Sequence, residues 1–343
     1  MGQFAVVTQT GELNTSDVTQ YTGAAGAWAG VRQVGFDNDV IVAQVGDTTE
    51  AGIVQDGDLN VASVGQNGDA DGATAYIDQY GDSSNASVTQ HGDNAAEIVQ
   101  YGPEGMVWGG HEANVIQSGD GSFAQITQDD GGVSTSGNTA NVYSYGDDQQ
   151  AYVDQSGARN GTTVEQTATA DGSLAIVNQI GGWNLAMVNT AAAGSIVDIS
   201  QAGEPLGMNY ASANQSVDAT GGEILVSQNG NGDGHYAFIA QREAGSQYAE
   251  VTQIGEDSQN YALILQSGAE ARAEVSQSAE GNTADIDQTG LLSFASVVQT
   301  GIDNQSIIDQ GGDNNSATTL QAGVGNLSTI TQTGSFNTAI VNQ

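Results

Sequence analysis

Asn282-Thr283-Ala284-Asp285-Ile286-Asp287-Gln288 is the stretch whose reading decides the fold. Its alternate residues Asn282, Ala284, Ile286 and Gln288 recur in the same order as Asn337, Ala339, Val341 and Gln343. Far upstream they recur again as Asn94, Ala96, Ile98 and Gln100. A spacing of two puts all four on one side of an extended strand, whereas a helix would scatter them. Thr283, Asp285 and Asp287 then face the opposite way, toward water.

Working outward, the closing glutamine recurs every eleven residues as Gln266, Gln277, Gln288, Gln299, Gln310, Gln321, Gln332 and Gln343. A glycine usually follows two positions later, as Gly92, Gly268, Gly290, Gly301 and Gly334, before a short polar stretch and the next strand. That composition marks a corner. A strand of about seven residues plus a corner of about four makes a half-unit, and two half-units close one flattened turn. The predicted fold is all-β, a β-solenoid with two strands per turn, two facing parallel sheets and cross-β stacking. Ala and Val or Ile fill the gap between the sheets.

Counting the terminal Gln or its substitute gives about 29 half-units, hence roughly 14 to 15 rungs. Residues 1–343 read as one continuous array, about 70 Å long at a rung spacing near 4.8 Å. The pattern is entered at Gln3, Ala5, Val7 and Gln9, with no targeting segment visible. Irregularities fall in the middle. Ser144 and Thr190 replace Gln, longer insertions precede Gln117 and Ser144, and Gln215 runs into Ser216-Val217 without a glycine corner.

Buried amides need partners, and stacked identical amides supply them. With Gln277 under Gln299 and Gln288 under Gln310, each side-chain carbonyl can accept from the amide one rung away, and a slip of half a unit would set Gln beneath Ala. The array shows no cap over either terminal rung. It therefore reads as a template for further copies, a head-to-tail homopolymer. With 29 half-units the first and last strands share a sheet, and the half rung left vacant would be filled by the next subunit.

Composition narrows the function. The chain of 343 residues carries a net charge of −37, no Lys, and Arg32, Arg159, Arg242 and Arg272 as its cations. Such a surface offers no groove for nucleic-acid phosphates and no attraction to anionic membranes. No run approaches the roughly 20 apolar residues of a membrane helix, so membrane insertion is not expected. Cysteine is absent, which removes disulfides and thiolate chemistry.

The N-x-A-x-x-x-Q strands with x-G corners, as in Ser293, Ala295, Gln299 and Gly301, resemble the curlin repeat of curli, the bacterial extracellular amyloid fibre. The resemblance spans essentially the whole chain. It implies a left-handed solenoid and secretion as an unfolded chain through an outer-membrane channel with a periplasmic chaperone. It also implies a nucleator subunit and growth into a fibre of the biofilm matrix used in adhesion.

Other chemistry finds little support. Asp287, Asp309 and Asp313 sit at outward or corner positions, as a solvated face would, with divalent-cation bridging the sharper alternative. Corner dipeptides Gly46-Asp47, Gly57-Asp58, Gly68-Asp69, Gly81-Asp82, Gly92-Asp93 and Gly312-Asp313 invite comparison with calcium-binding solenoids, but those use a nine-residue period. His91, His111 and His235 occupy non-equivalent positions. His111 and His235 stand where Asn starts the strand, as substitute corner groups rather than metal ligands. Tyr80, Tyr101 and Tyr145 could form an aromatic ladder, although Val34, Val45, Ile180 and Ile254 use the same position. No catalytic, cofactor-binding or metal residue is nominated. A polymerising structural subunit is the reading, with a monomeric adhesin, an ice-binding or calcium-binding solenoid and a repeat-borne hydrolase as alternatives.

Overall fold

The computed structural model describes residues 2–21, 25–68, 70–102, 109–130, 136–203, 208–231, 234–243, 245–256 and 259–343. Asp69 of the Gly68-Asp69 corner lies outside the described residues. Every regular element among them is a β-strand, and the strands number 29. No helix is long and apolar enough to cross a membrane among the described residues. Contacts divide the chain into residues 1–171 and 172–343.

In the first unit, alternate strands belong to different sheets. Phe4–Glu12, Trp28–Phe36, Glu50–Asp56 and their successors to Gln150–Ala158 form one sheet. Thr15–Gln20, Asp39–Gln44, Val61–Gln66 and their successors to Gly161–Gln166 form the other. All neighbours run parallel and in register, with Gln9 opposite Gln33, Gln33 opposite Gln55 and Gln55 opposite Gln79. The second unit repeats this plan. Leu174–Gly182 to Thr338–Asn342 make one sheet, and Leu185–Thr190 to Leu327–Thr333 make the other. Each unit is thus a β-solenoid of two parallel sheets, as the spacing predicts.

The core is the inward pair of columns. Ala284 and Ile286 are 0 % exposed, as are Ala96's equivalents Ala75 and Ala124, and Ile98 lies between Ile77 and Ile126. Alanine keeps the two sheets close at one end of the strand, while Val or Ile fills the middle. Each fully buried Val or Ile contributes about 1.5–3 kcal/mol, so many repeats rather than one large core hold the chain folded. The insertion before Gln117 does not shift the pairing. Gln90 still meets Gln117, and Ala86 meets Ala113. Residues 103–108 of that insertion, and 131–135 of the one before Ser144, lie outside the described residues; the buried columns penalise any slip on either side.

Candidate assembly ladder

The glutamine beat splits into two columns, one per sheet. In the second unit Gln277 Nε2 donates to Gln299 Oε1 at 2.9 Å, Gln299 to Gln321 at 2.9 Å and Gln321 to Gln343 at 3.0 Å. The facing column runs from Gln266 to Gln288 at 3.0 Å, on to Gln310 at 2.9 Å, and on to Gln332 at 2.8 Å. Gln79, Gln100 and Gln128 repeat the geometry in the first unit, at 2.9 and 2.8 Å. In each of these pairs the donor precedes the acceptor in sequence. The second hydrogen of each amide crosses to the opposite sheet. Gln288 Nε2 reaches Arg272 O at 3.1 Å, Gln299 reaches Thr283 O at 2.9 Å, and Gln310 reaches Phe294 O at 3.0 Å. One side chain therefore ties successive rungs and both sheets, which is how a fully buried amide becomes affordable.

Asparagine works differently from glutamine. Asn282 Oδ1 accepts from the backbone N–H of Asn304 at 3.1 Å, while its Nδ2 donates to Gly301 O at 2.8 Å. Asn94 does the same with Ser122 N–H at 3.0 Å and Gly119 O at 2.7 Å. With one methylene fewer, its amide stays beside the main chain and staples the corner, rather than forming a continuous amide column. Direct amide contacts occur only locally, as from Asn337 Nδ2 to Asn315 Oδ1 at 3.1 Å. At the sheet edge Asn337 and Gln343 are exposed, and Ala339 and Val341 are half-buried.

His111 and His235 fill the asparagine role. Asn138 N–H donates to His111 Nδ1 at 3.0 Å, and His111 Nε2 faces Tyr101 O at 3.0 Å. This pairing requires a neutral ring protonated on Nε2. His235 is placed alike, between Asn260 N–H and Asn229 O, both at 3.3 Å. Burial lowers the His111 pKa from its ordinary 6.5, partly opposed by the hydrogen bond to Tyr101 and by Asp130 and Asp129. The unfolded chain therefore binds the proton more tightly. The neutral ring's contribution is complete above 6.5 and is lost as pH falls from there toward the lowered folded value. His111→Asn is expected to flatten that acid-side loss, measured as the denaturation midpoint between about pH 7 and 5. An unchanged slope would reject the neutral-ring assignment.

The corner glycines Gly92, Gly268, Gly290 and Gly301 approach the next rung so closely that a Cβ on any of them would fall on a carbonyl oxygen. Those oxygens belong to Gly119, Gly290, Gly312 and Gly323 respectively. Gly334 has no such neighbour. Corner aspartates act as acceptors for main-chain N–H groups. Asp58 Oδ1 takes Phe36 N–H at 2.8 Å, Asp82 takes Asp58 N–H at 2.8 Å, and Asp313 takes Leu291 N–H at 3.0 Å. Each of these bonds ties the corner of one rung to the corner of the next, 22 to 24 residues later in the chain. Among the described residues no group of three or more His, Asp or Glu is arranged to hold a metal ion.

The two substitutes in the glutamine columns fare unequally. Ser144 Oγ donates to Gln166 Oε1 at 3.1 Å and keeps the link. Thr190 Oγ1 is buried without a partner, and Gln215 Oε1, the atom it should serve one rung away, is also without one. Thr190→Gln is expected to raise stability by about 1 kcal/mol by giving Gln215 its donor. A lower denaturation midpoint would show that the site has no room for the amide. Sequence reading also missed a bridge between sheets, in which the hydroxyls of Thr319 and Ser328 meet at 3.2 Å inside the core.

On the outer faces, Tyr80 and Tyr101 stack at 5.4 Å between centroids and 11° between planes. Tyr145 adjoins a strand of the other sheet and does not extend that stack. Of the outward and corner acids, Asp309 is exposed, whereas Asp285, Asp287 and Asp313 are half-buried. Burial raises the Asp287 carboxyl above its ordinary 3.8, and Asp309 and Asp285 push it the same way. Asp285 is raised by burial as well.

Comparison with known proteins gives one family. The curlin associated repeat matches residues 35–68 and 312–343, stretches that hold strands of both sheets. No curated protein matches the chain.

Proposed function

We propose that this chain, which carries curlin associated repeats, is a structural subunit whose copies stack end to end into an extracellular amyloid-like fibre serving matrix cohesion and surface attachment. The observation that carries the reading is the glutamine column. Gln299, for example, accepts from Gln277 through Oε1 and donates to Gln321 through Nε2, and the column breaks at Thr190, where neither Thr190 nor Gln215 finds the other. Wherever such a column stops, it leaves an unfilled acceptor on one side and an unfilled donor on the other, so another copy continues it without adaptation. By the same resemblance we propose a nucleator subunit, an outer-membrane channel and a periplasmic chaperone as partners.

Electron microscopy and fibre diffraction of the purified chain test the proposal. Filaments with a meridional spacing of about 4.8 Å are the expected result, and persistent monodisperse particles would instead favour an adhesin that acts as a monomer. Charge gives a second test. The net charge is −37, and Asp287 has its carboxyl raised by burial and by Asp309 and Asp285. Folding and stacking thus oppose ionisation of such groups. The penalty is full at neutral pH and is removed as pH falls through the raised value toward 3.8. Elongation is expected to accelerate with acid and with salt, since screening acts within about 10 Å at 0.1 M ionic strength. Equal rates at low and high salt would refute this.

A further inference from the structure

The acids are spread unevenly over the outer faces. In the second unit the strands Leu185–Thr190, Tyr210–Gln215, Tyr236–Gln241 and Tyr261–Gln266 are consecutive neighbours in one sheet. Their outward positions carry no Asp or Glu, in a chain with 41 such residues. No other described sheet face runs four strands without one. The field is apolar as well as neutral. Tyr210 packs against Tyr236 at 6.3 Å and against Phe238 at 5.1 Å, and Phe238 packs against Tyr261 at 5.9 Å. Tyr210 Oη points to Met187 Sδ at 3.3 Å. Met187 is 45 % exposed and Tyr261 36 %. The next strand ends the field abruptly, with Asp285 in line with Leu263 and Asp287 in line with Leu265.

We propose that this face docks on the same face of a second copy, joining filaments side by side. Two copies each bearing −37 repel wherever acids meet acids. Here like-charged molecules can approach without that repulsion, and exposed aromatic area is removed from water when they do. An anionic lipid surface is disfavoured by the same net charge. Four strands at about 4.8 Å by a strand length near 20 Å give about 400 Å² per copy. The pair buries about 800 Å², below the roughly 1,200 Å² of a stable dimer. Single chains therefore associate only weakly. Filaments, which present the face once per subunit, add these contacts along their length. The filament part of this inference rests on the fibre reading, and the docking face itself does not.

The test compares the full chain with Phe238→Asp/Leu263→Asp and with Asp285→Ser/Asp287→Ser. Aspartate at an outward position is what this sheet already accepts one rung on, and retained β circular dichroism checks folding. Wild-type filaments are expected to bundle in electron micrographs. The first variant should still form filaments, more slowly for its two added charges, with the bundled fraction at equal filament mass reduced about fivefold or more, and the second should form wider bundles. Bundling of the first variant equal to wild type overturns the proposal. If wild-type filaments stay single, or cosediment with an insoluble β-glucan that the first variant ignores, the second-copy occupant is also overturned. If no filaments form, the fibre reading fails separately, and sedimentation velocity at high concentration decides. A weak dimer lost in the first variant supports the face, and its absence in wild type rejects it.

Discussion

Gln288→Leu is expected to destabilise the chain by roughly 3 kcal/mol or more, because three polar groups each lose a hydrogen-bond partner, at about 1–3 kcal/mol apiece. They are Gln266 Nε2, which donates to Gln288 Oε1; Gln310 Oε1, which accepts from Gln288 Nε2; and Arg272 O, which takes the other hydrogen of that amide. Leucine has nearly the right size, so the loss reports hydrogen bonding more than packing. Asp287→Asn, one residue away on the outward face, should change stability by less than about 1 kcal/mol, and in the favourable direction, since it removes a carboxyl that burial and Asp309 disfavour. Denaturant midpoints and elongation rates measured side by side settle the matter. Equal effects at the two positions would sink the assignment of inward and outward faces.

Gly301→Ala is expected to be nearly as severe, about 3 kcal/mol or more, for two separable reasons. Its φ of 115° is a conformation that L side chains rarely adopt. In addition, the new methyl would sit on the carbonyl oxygen of Gly323, a main-chain atom held by its own rung. Gly334→Ala isolates the first reason. Its φ is 91°, yet the nearest atom to a Cβ there is Asn337 Nδ2 at 3.9 Å. That substitution should cost only about 1 kcal/mol. If both variants unfold at the same denaturant concentration, close stacking of the corners is not what selects glycine.

The strands, their parallel register and the inward columns were legible because a single period serves both the buried face and the pairing. Once Gln277 is set above Gln299, every residue between them has its place. What could not be read is what the period leaves unspecified. Asn282 and Gln288 look interchangeable as amides, but one methylene decides that the first serves main-chain groups at the corner and the second spans two rungs and two sheets. At many corners the residue before the strand-opening Asn or its substitute is left-handed, and it is Leu292 or Trp183 as readily as Gly281. Composition therefore hides it. The Thr319 and Ser328 bridge departs from the repeat in two columns at once, and only the facing of the two sheets brings the hydroxyls together. The acid-free field shares this cause, for its residues are scattered over some eighty positions and become neighbours only when the strands are stacked.

The glutamine columns also carry an arrow. From Gln277 through Gln299 and Gln321, each side-chain N–H points to the residue that comes later in the chain, and the facing column from Gln266 to Gln332 points the same way. A copy arriving head first would set lone pair against lone pair, or hydrogen against hydrogen, in both columns at once. In the proposed fibre, orientation would thus be checked at each addition before any side chain on the surface is consulted. A filament built this way has two chemically unlike tips, and they should grow at different speeds.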